Sequence, residues 1–106
     1  MPAADIVEEV AEVFHILSDP TRIRLLHALS QQELCVCDLA KVLDRSISGT
    51  SHQLQTLRRM RLVQYRMEGK LAYYSLRSRW VRRLLVDALN RIGGGADGEP
   101  AAEVAR

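Results

Sequence analysis

The spacing of apolar residues changes twice along this 106-residue chain, to strand spacing after residue 60 and back to helical spacing near residue 78, and these changes restrict the folds open to it. Up to about residue 60, apolar residues recur three and four positions apart, which predicts amphipathic helices. Residues 62–67, LVQYRM, and 71–76, LAYYSL, are instead rich in β-branched and aromatic side chains with the alternation of strands. Gly69, within Glu68-Gly69-Lys70, can supply the positive φ of a tight hairpin turn. The pattern therefore predicts a mainly α fold that contains one β-hairpin.

Five helices are predicted around this hairpin. Asp19 before Pro20 is typical of a helix start, because a capping side chain is followed by proline at the first helical position. Two short helices joined by a tight turn and followed by a basic hairpin form a winged helix-turn-helix. The predicted helices cover residues 5–17, about 20–30, the segment that contains both cysteines, about 48–60 and about 78–92.

The first and last predicted helices carry more apolar surface than one small domain can cover. They are therefore predicted to form a homodimer, most simply with two-fold symmetry. Residues 1–92 are predicted to form one winged helix-turn-helix domain for DNA binding and dimerisation. Residues 93–106, GGGADGEPAAEVAR, are small and polar and are predicted to be a flexible C-terminal tail.

Charge is distributed unevenly, although the net charge is only +2. Residues 1–20 contain five acidic residues and no Lys or Arg. Residues 45–83 contain ten Lys and Arg residues against Glu68 alone. A block this basic suggests a polyanionic partner, most often nucleic acid, and the alternative is a solvated basic surface.

Several classes of protein are disfavoured by the sequence. No apolar run reaches the roughly 18 residues of a membrane span, and the acidic N-terminus lacks the order of a signal peptide. We therefore expect a cytoplasmic protein with no membrane partner, whose two cysteines are reduced. No combination of nucleophile, base and orienting group is present, and no phosphate-binding loop, so we expect no enzyme.

Both cysteines lie in residues 33–40, ELCVCDLA. Within a regular helix, residues two apart point to different sides and could not hold one ion together. Asp38, three residues after Cys35, is typical of a capping box with Cys35 at the cap, although a thiol is a weak cap. With Cys35 outside the helix and Cys37 in its first turn, the two sulfurs need not diverge, and thiolates are ligands for soft ions. The alternative is a pair of packed, unreactive cysteines.

Four motifs in order and spacing resemble the ArsR/SmtB family of metal-sensing repressors, in particular its CadC and ArsR branches. They are SDPTRIRLLHAL, ELCVCDLA, SHQLQTLRRMRLV and EGKLAYYSL, and the resemblance covers residues 6–92. It implies a homodimeric repressor that binds double-stranded operator DNA when metal-free and is released when a metal ion binds. Cys35 and Cys37 would then hold a thiophilic ion, which could be arsenite, cadmium, lead or mercury.

This sequence departs from the family pattern at the cysteine box. Ala40 occupies the position of the third cysteine of arsenite-type boxes, and the two further cysteines of the CadC-type N-terminal arm have no counterpart here. The fifth-helix positions that bind zinc in many members are occupied by Ser78, Trp80, Arg91 and Gly94, so that helix is predicted to serve dimerisation alone. Two alternatives remain: a thiol redox or persulfide-responsive repressor that uses the same cysteines, and a winged helix that binds protein.

The DNA-contacting residues are predicted from the helix-turn-helix pattern, in which the N-terminal half of the second helix meets base edges in the major groove. Glutamine in that half can make a bidentate contact with adenine. Arginines near the end of this helix are expected to contact phosphates. Basic residues of the wing are expected to contact the DNA backbone or the minor groove, and the alternative is a solvated hairpin tip. His52 is assigned to DNA and not to metal, whereas His15 and His27 are unassigned. The predicted contacts are Ser48, Thr50, His52 and Gln53 to bases, Arg58 and Arg59 to phosphate, and Arg66 and Lys70 on the wing.

Overall fold

The computed structural model of the chain describes residues 2–94. Five helices and three strands follow one another in a winged helix-turn-helix arrangement, which confirms the predicted fold class. Residues 95–106, most of the predicted tail, lie outside the described residues. The elements are α1 (Ala4–Leu17), α2 (Pro20–Gln31), β1 (Leu34–Cys35), α3 (Val36–Leu43), α4 (Ile47–Arg59), β2 (Val63–Glu68), β3 (Leu71–Leu76) and α5 (Arg79–Ile92).

Polar caps set the starts of three helices. The Asp19 carboxylate accepts a hydrogen bond from the Arg22 backbone N–H at 3.0 Å and begins α2, with Pro20 at its first position. Ser46 begins α4 and Ser78 begins α5 in the same way, because each hydroxyl accepts from a backbone N–H three residues further on. Such a cap satisfies a donor that the helix itself leaves unpaired.

The sheet has three antiparallel strands in the order β1-β3-β2. Glu68 pairs with Leu71, and Gly69 in the two-residue loop has a φ of 62°, as the sequence predicted. The strand β1 was not predicted. Its two residues pair with Tyr73 and Tyr74 of β3, and a segment so short carries no recognisable period.

The core lies between α2, α3, α4, the hairpin and α5. Its most deeply buried residues have no exposed surface: Leu25, Leu26, Leu39, Leu54, Leu57 and Val81. The two terminal helices, α1 and α5, bury only part of their apolar surface in this core. The large apolar side chains that remain 37–67 % exposed on them are Ile6, Val7, Val10 and Phe14 of α1 and Trp80, Val86, Leu89 and Ile92 of α5. No helix among residues 2–94 has both the length and the hydropathy needed to span a bilayer.

Candidate nucleic-acid interface and cysteine site

The turn between α3 and α4 is closed by the backbone. Asp44 takes a left-handed conformation, with φ 55° and ψ 49°, and the Arg45 N–H donates to the Ala40 carbonyl at 3.0 Å. Asp tolerates this conformation better than most side chains do. The bond ends α3 and turns the chain into α4, the second helix of the helix-turn-helix unit.

The predicted base-reading residues do not share one environment. Ser48 and His52 are exposed on α4, and Gln53 is half-buried. Thr50 is only 1 % exposed, and its hydroxyl is the one buried side-chain polar atom without a partner among residues 2–94. A buried hydroxyl cannot reach a base edge, so the predicted base contact does not fit Thr50.

A basic groove lies between the C-terminal end of α4 and the wing. Its arginines are Arg58, Arg59, Arg61 and Arg77, and the Arg58 guanidinium lies 4.6 Å from the centroid of the Tyr65 ring. Arg58 and Arg59 were predicted from the sequence as phosphate contacts, whereas Arg61 and Arg77 were not. Arg61 and Arg77 belonged to the basic block, yet only the hairpin brings them to the same groove.

Arg61 occupies an unusual backbone position. Its φ is 62°, its N–H donates to the Arg58 carbonyl at 2.9 Å, and the Leu62 N–H donates to the Leu57 carbonyl at 3.0 Å. This pair of bonds is a Schellman motif, in which glycine usually holds the left-handed position. The chain therefore keeps an arginine where the backbone favours glycine.

The wing arginine Arg66 is already engaged. Its guanidinium donates to both carboxylate oxygens of Glu33 at 2.9 Å and to Glu68 at 3.0 Å, and it lies 5.2 Å from the centroid of the Tyr73 ring. The hydrogen bond from Arg66 lowers the pKa of Glu33, and the same pair raises the pKa of Arg66. Two carboxylates thus offset the Arg66 charge, which weighs against its predicted DNA contact, whereas Lys70 is exposed at the hairpin tip.

The cysteines lie on either side of a helix start, as predicted. Cys35 is the N-cap of α3 in an extended conformation, with φ −81° and ψ 165°, and Cys37 is the second residue of the helix. Cys35 is buried and Cys37 is exposed. The capping box itself is not formed: the Cys35 side chain makes no cap hydrogen bond, and within residues 2–94 none joins Asp38 to the cap.

The register of the sheet connects Cys35 to the wing. Cys35 pairs with Tyr73 of β3, and Tyr73 pairs with Arg66 of β2. Residues directly opposite on antiparallel strands project from the same face of a sheet. The side chains of Cys35, Tyr73 and Arg66 therefore form one row across the sheet. Glu33, two residues before Cys35, forms an ion pair with Arg66 at the end of this row.

The donor set available for a metal is small. Across residues 2–94, no group of three or more His, Cys, Asp and Glu side chains is arranged to hold an ion. Cys35 and Cys37 offer two soft sulfur donors at the start of α3, which suits a thiophilic ion but not a hard cation that needs an oxygen cage. Any further ligand would come from solvent or from outside this set.

Known proteins are similar to this chain in sequence and in fold. Residues 19–65 match the model of the family described as bacterial regulatory protein, arsR family. The chain is 51 % identical over 80 residues to the transcriptional repressor SmtB homologue of Synechocystis sp., a match that covers 76 % of this chain but only 61 % of that protein. It is 44 % identical over 81 residues to the cadmium resistance transcriptional regulatory protein CadC homologue of Staphylococcus aureus, covering 76 % of this chain and 67 % of that one.

A solved structure agrees with these matches. The homodimeric winged helix-turn-helix DNA-binding domain of a possible ArsR-family regulator from Mycobacterium bovis is similar with a TM-score of 0.78 and 28 % identity. That similarity covers 86 % of this chain and 84 % of the other. Sequence and fold lead to the same assignment: this chain belongs to the ArsR/SmtB family, whose members are DNA-binding transcriptional regulators and not enzymes.

Proposed function

We propose that this protein is a metal(loid)-responsive repressor that binds operator DNA when metal-free and leaves it when a thiophilic ion binds Cys35 and Cys37. One observation carries the proposal. Cys35 occupies the N-cap position of α3, the first helix of the helix-turn-helix unit, and also pairs with β3 of the wing. The thiols thus lie where the helix-turn-helix unit meets the wing. Similarity to a transcriptional repressor and to a cadmium resistance regulator supports this class of function.

The DNA-binding surface would consist of α4 and the basic groove beside it. Ser48, His52 and Gln53 would contact base edges in the major groove, because they lie in the N-terminal half of the second helix. The arginines of the groove, Arg58 and Arg59 foremost, would contact phosphates. Lys70 would extend this contact from the wing tip.

Dimerisation would bury the apolar faces that α1 and α5 leave exposed. Phe14 is 51 % exposed and Ile92 is 67 % exposed, although both belong to apolar stripes. The homodimeric state of the similar Mycobacterium bovis domain supports this arrangement. In such a dimer, the two α4 helices should lie about 34–36 Å apart, one turn of B-DNA.

Cys35 and Cys37 would hold the ion as thiolates, and arsenite, cadmium, lead and mercury are the candidates. A bound ion would supply only a link between two sulfurs, one on extended backbone and one in the first turn of α3. That link would constrain the start of α3 and, through the pairing of β1 with β3, the wing. A coupling free energy of about 1–3 kcal/mol would change DNA affinity by about 5–150-fold, and DNA would weaken ion binding equally.

The proposal is tested by titrating reduced protein onto operator DNA with arsenite, cadmium, lead, mercury or zinc present. We expect at least one thiophilic ion to release the parent protein. Cys35→Ser, Cys37→Ser and the double variant should bind DNA nearly as the parent does, and none should be released. Since both thiols act together, the double variant should behave like either single one.

Undiminished ion-triggered release by the double variant would place the sensor elsewhere. Failure of the parent protein to bind any DNA more tightly than random sequence would rule out the repressor role altogether. Release by an oxidant, but by none of the five ions, would favour the thiol redox alternative.

A further inference from the structure

The side chain of Gln53 is held from another helix. Arg22, the third residue of α2, donates from Nε to Gln53 Oε1 at 2.9 Å, across a separation of 31 residues in a partly buried setting. A guanidinium has donors only. The amide oxygen of Gln53 must therefore face Arg22, which settles an orientation that a free amide leaves open.

The amide nitrogen of Gln53 points elsewhere and is available. Within residues 2–94, Gln53 Nε2 makes no hydrogen bond. It is not buried either, because Thr50 Oγ1 is the one buried side-chain polar atom there without a partner. Gln53 lines an open cleft at the start of α4 together with Arg45, Ser46 and Gly49. Its two N–H donors are thus free to meet a ligand from outside the protein.

We propose that Arg22 is a positioning residue that makes Gln53 a donor-only reader of bases, an inference that rests on the proposed DNA binding. A bidentate contact with adenine needs both Oε1 and Nε2 at the base edge, because adenine presents one donor and one acceptor there. This hydrogen bond turns Oε1 towards Arg22, so the amide presents its two N–H donors outward. Guanine, which presents two acceptors, N7 and O6, in the major groove, matches them. Gln53 is therefore expected to select guanine over adenine, contrary to what its residue type alone predicts.

The test measures the ratio of operator affinities for guanine and adenine at each position of the half-site. Gln53→Ala identifies the position that Gln53 reads, where the preference should disappear. Arg22→Glu replaces the donor by an acceptor, and Arg22→Met removes the hydrogen bond without adding a charge. Either change frees Oε1 to turn outward, so the preference for guanine should fall by about 3- to 10-fold, the value of one hydrogen bond.

Arg24→Glu is the matched control for charge. Arg24 lies on the same helix, is exposed, and makes no hydrogen bond to Gln53 within the described part of the chain. It should weaken binding to all sequences alike and leave the ratio unchanged. Position 22 is the third residue of α2, where glutamate is well tolerated, so Arg22→Glu should still fold.

Three results would overturn the inference while leaving DNA binding intact. The first is that the parent prefers adenine at the position that Gln53 reads. The second is that Arg22→Glu and Arg22→Met leave the ratio of guanine to adenine affinity unchanged. The third is that Gln53→Ala changes this ratio at no position of the half-site. Absence of specific DNA binding by the parent would instead refute the proposed function, and this inference with it.

Discussion

Replacing Arg61 with glycine should stabilise the protein and weaken its binding to DNA at the same time. Arg61 has a φ of 62° and holds the left-handed position of the Schellman motif that ends α4. For a residue with a Cβ atom, that conformation costs about 1–2 kcal/mol. The two backbone hydrogen bonds of the motif do not involve the side chain, so Arg61→Gly keeps them.

The gain is smaller than the strain that is relieved. Glycine also increases the freedom of the unfolded chain, which removes about 0.4–1 kcal/mol of stability. The difference predicts that Arg61→Gly raises the free energy of unfolding by roughly 0.5–1 kcal/mol per protomer. Urea unfolding at one fixed protomer concentration measures it, because the stability of a dimer depends on concentration.

The effect on DNA binding comes from charge. Arg61 lines the basic groove with three other arginines. Each phosphate contact contributes about 0.9 to the slope of log affinity against log salt, so a dimer that loses both copies should lose about 1.8. Binding measured from low to high salt gives this slope directly.

Arg61→Ala is the control that separates the two effects. It removes the same charge but keeps a Cβ atom in the left-handed conformation, so it should lower the salt slope without the gain in stability. An Arg61→Gly protein less stable than the parent would refute the argument from backbone strain. An unchanged salt slope in both variants would show that Arg61 touches no phosphate.

Three further predictions concern residues outside the groove. Thr50→Val should raise the free energy of unfolding by about 1–2 kcal/mol and leave operator affinity unchanged, because it removes an unpartnered buried hydroxyl at nearly constant volume. A lower stability of the variant in urea unfolding would mean that the hydroxyl has a partner. Glu33→Gln should release Arg66 and steepen the salt dependence of DNA binding. The pKa of Glu33 in the folded state lies below its ordinary value of 4.5, so the ion pair with Arg66 stabilises the fold above pH 4.5 and is lost as the pH falls through the folded-state pKa. Glu33→Gln should therefore lose less stability in acid than the parent does. Equal loss of stability in acid would contradict this. Phe14→Glu should shift the proposed dimer towards monomer in sedimentation experiments, and a dimer that this change leaves unaffected would place the interface elsewhere.

Much of the fold could be predicted because its signals are local. The cap formed by Asp19, the turn at Gly69 and the position of Cys35 before its helix depend on residues within four positions of one another. The apolar stripes of α1 and α5 likewise appear in the sequence, and so does their excess over what one domain covers. The pattern of the helix-turn-helix also predicted Ser48 and His52 on an exposed surface.

The sequence by itself thus determined the order of helices and hairpin, the cysteine pair at a helix start and the family. Only the tertiary structure decided which side chains meet. Glu33 and Arg66 are 33 residues apart, Arg22 and Gln53 are 31 apart, and no local pattern marks either pair. The same holds for the strand β1, which exists because β3 lies beside it, and for the burial of Thr50. Packing between distant segments sets these features, and the periodicity of a single segment carries no information about its neighbours.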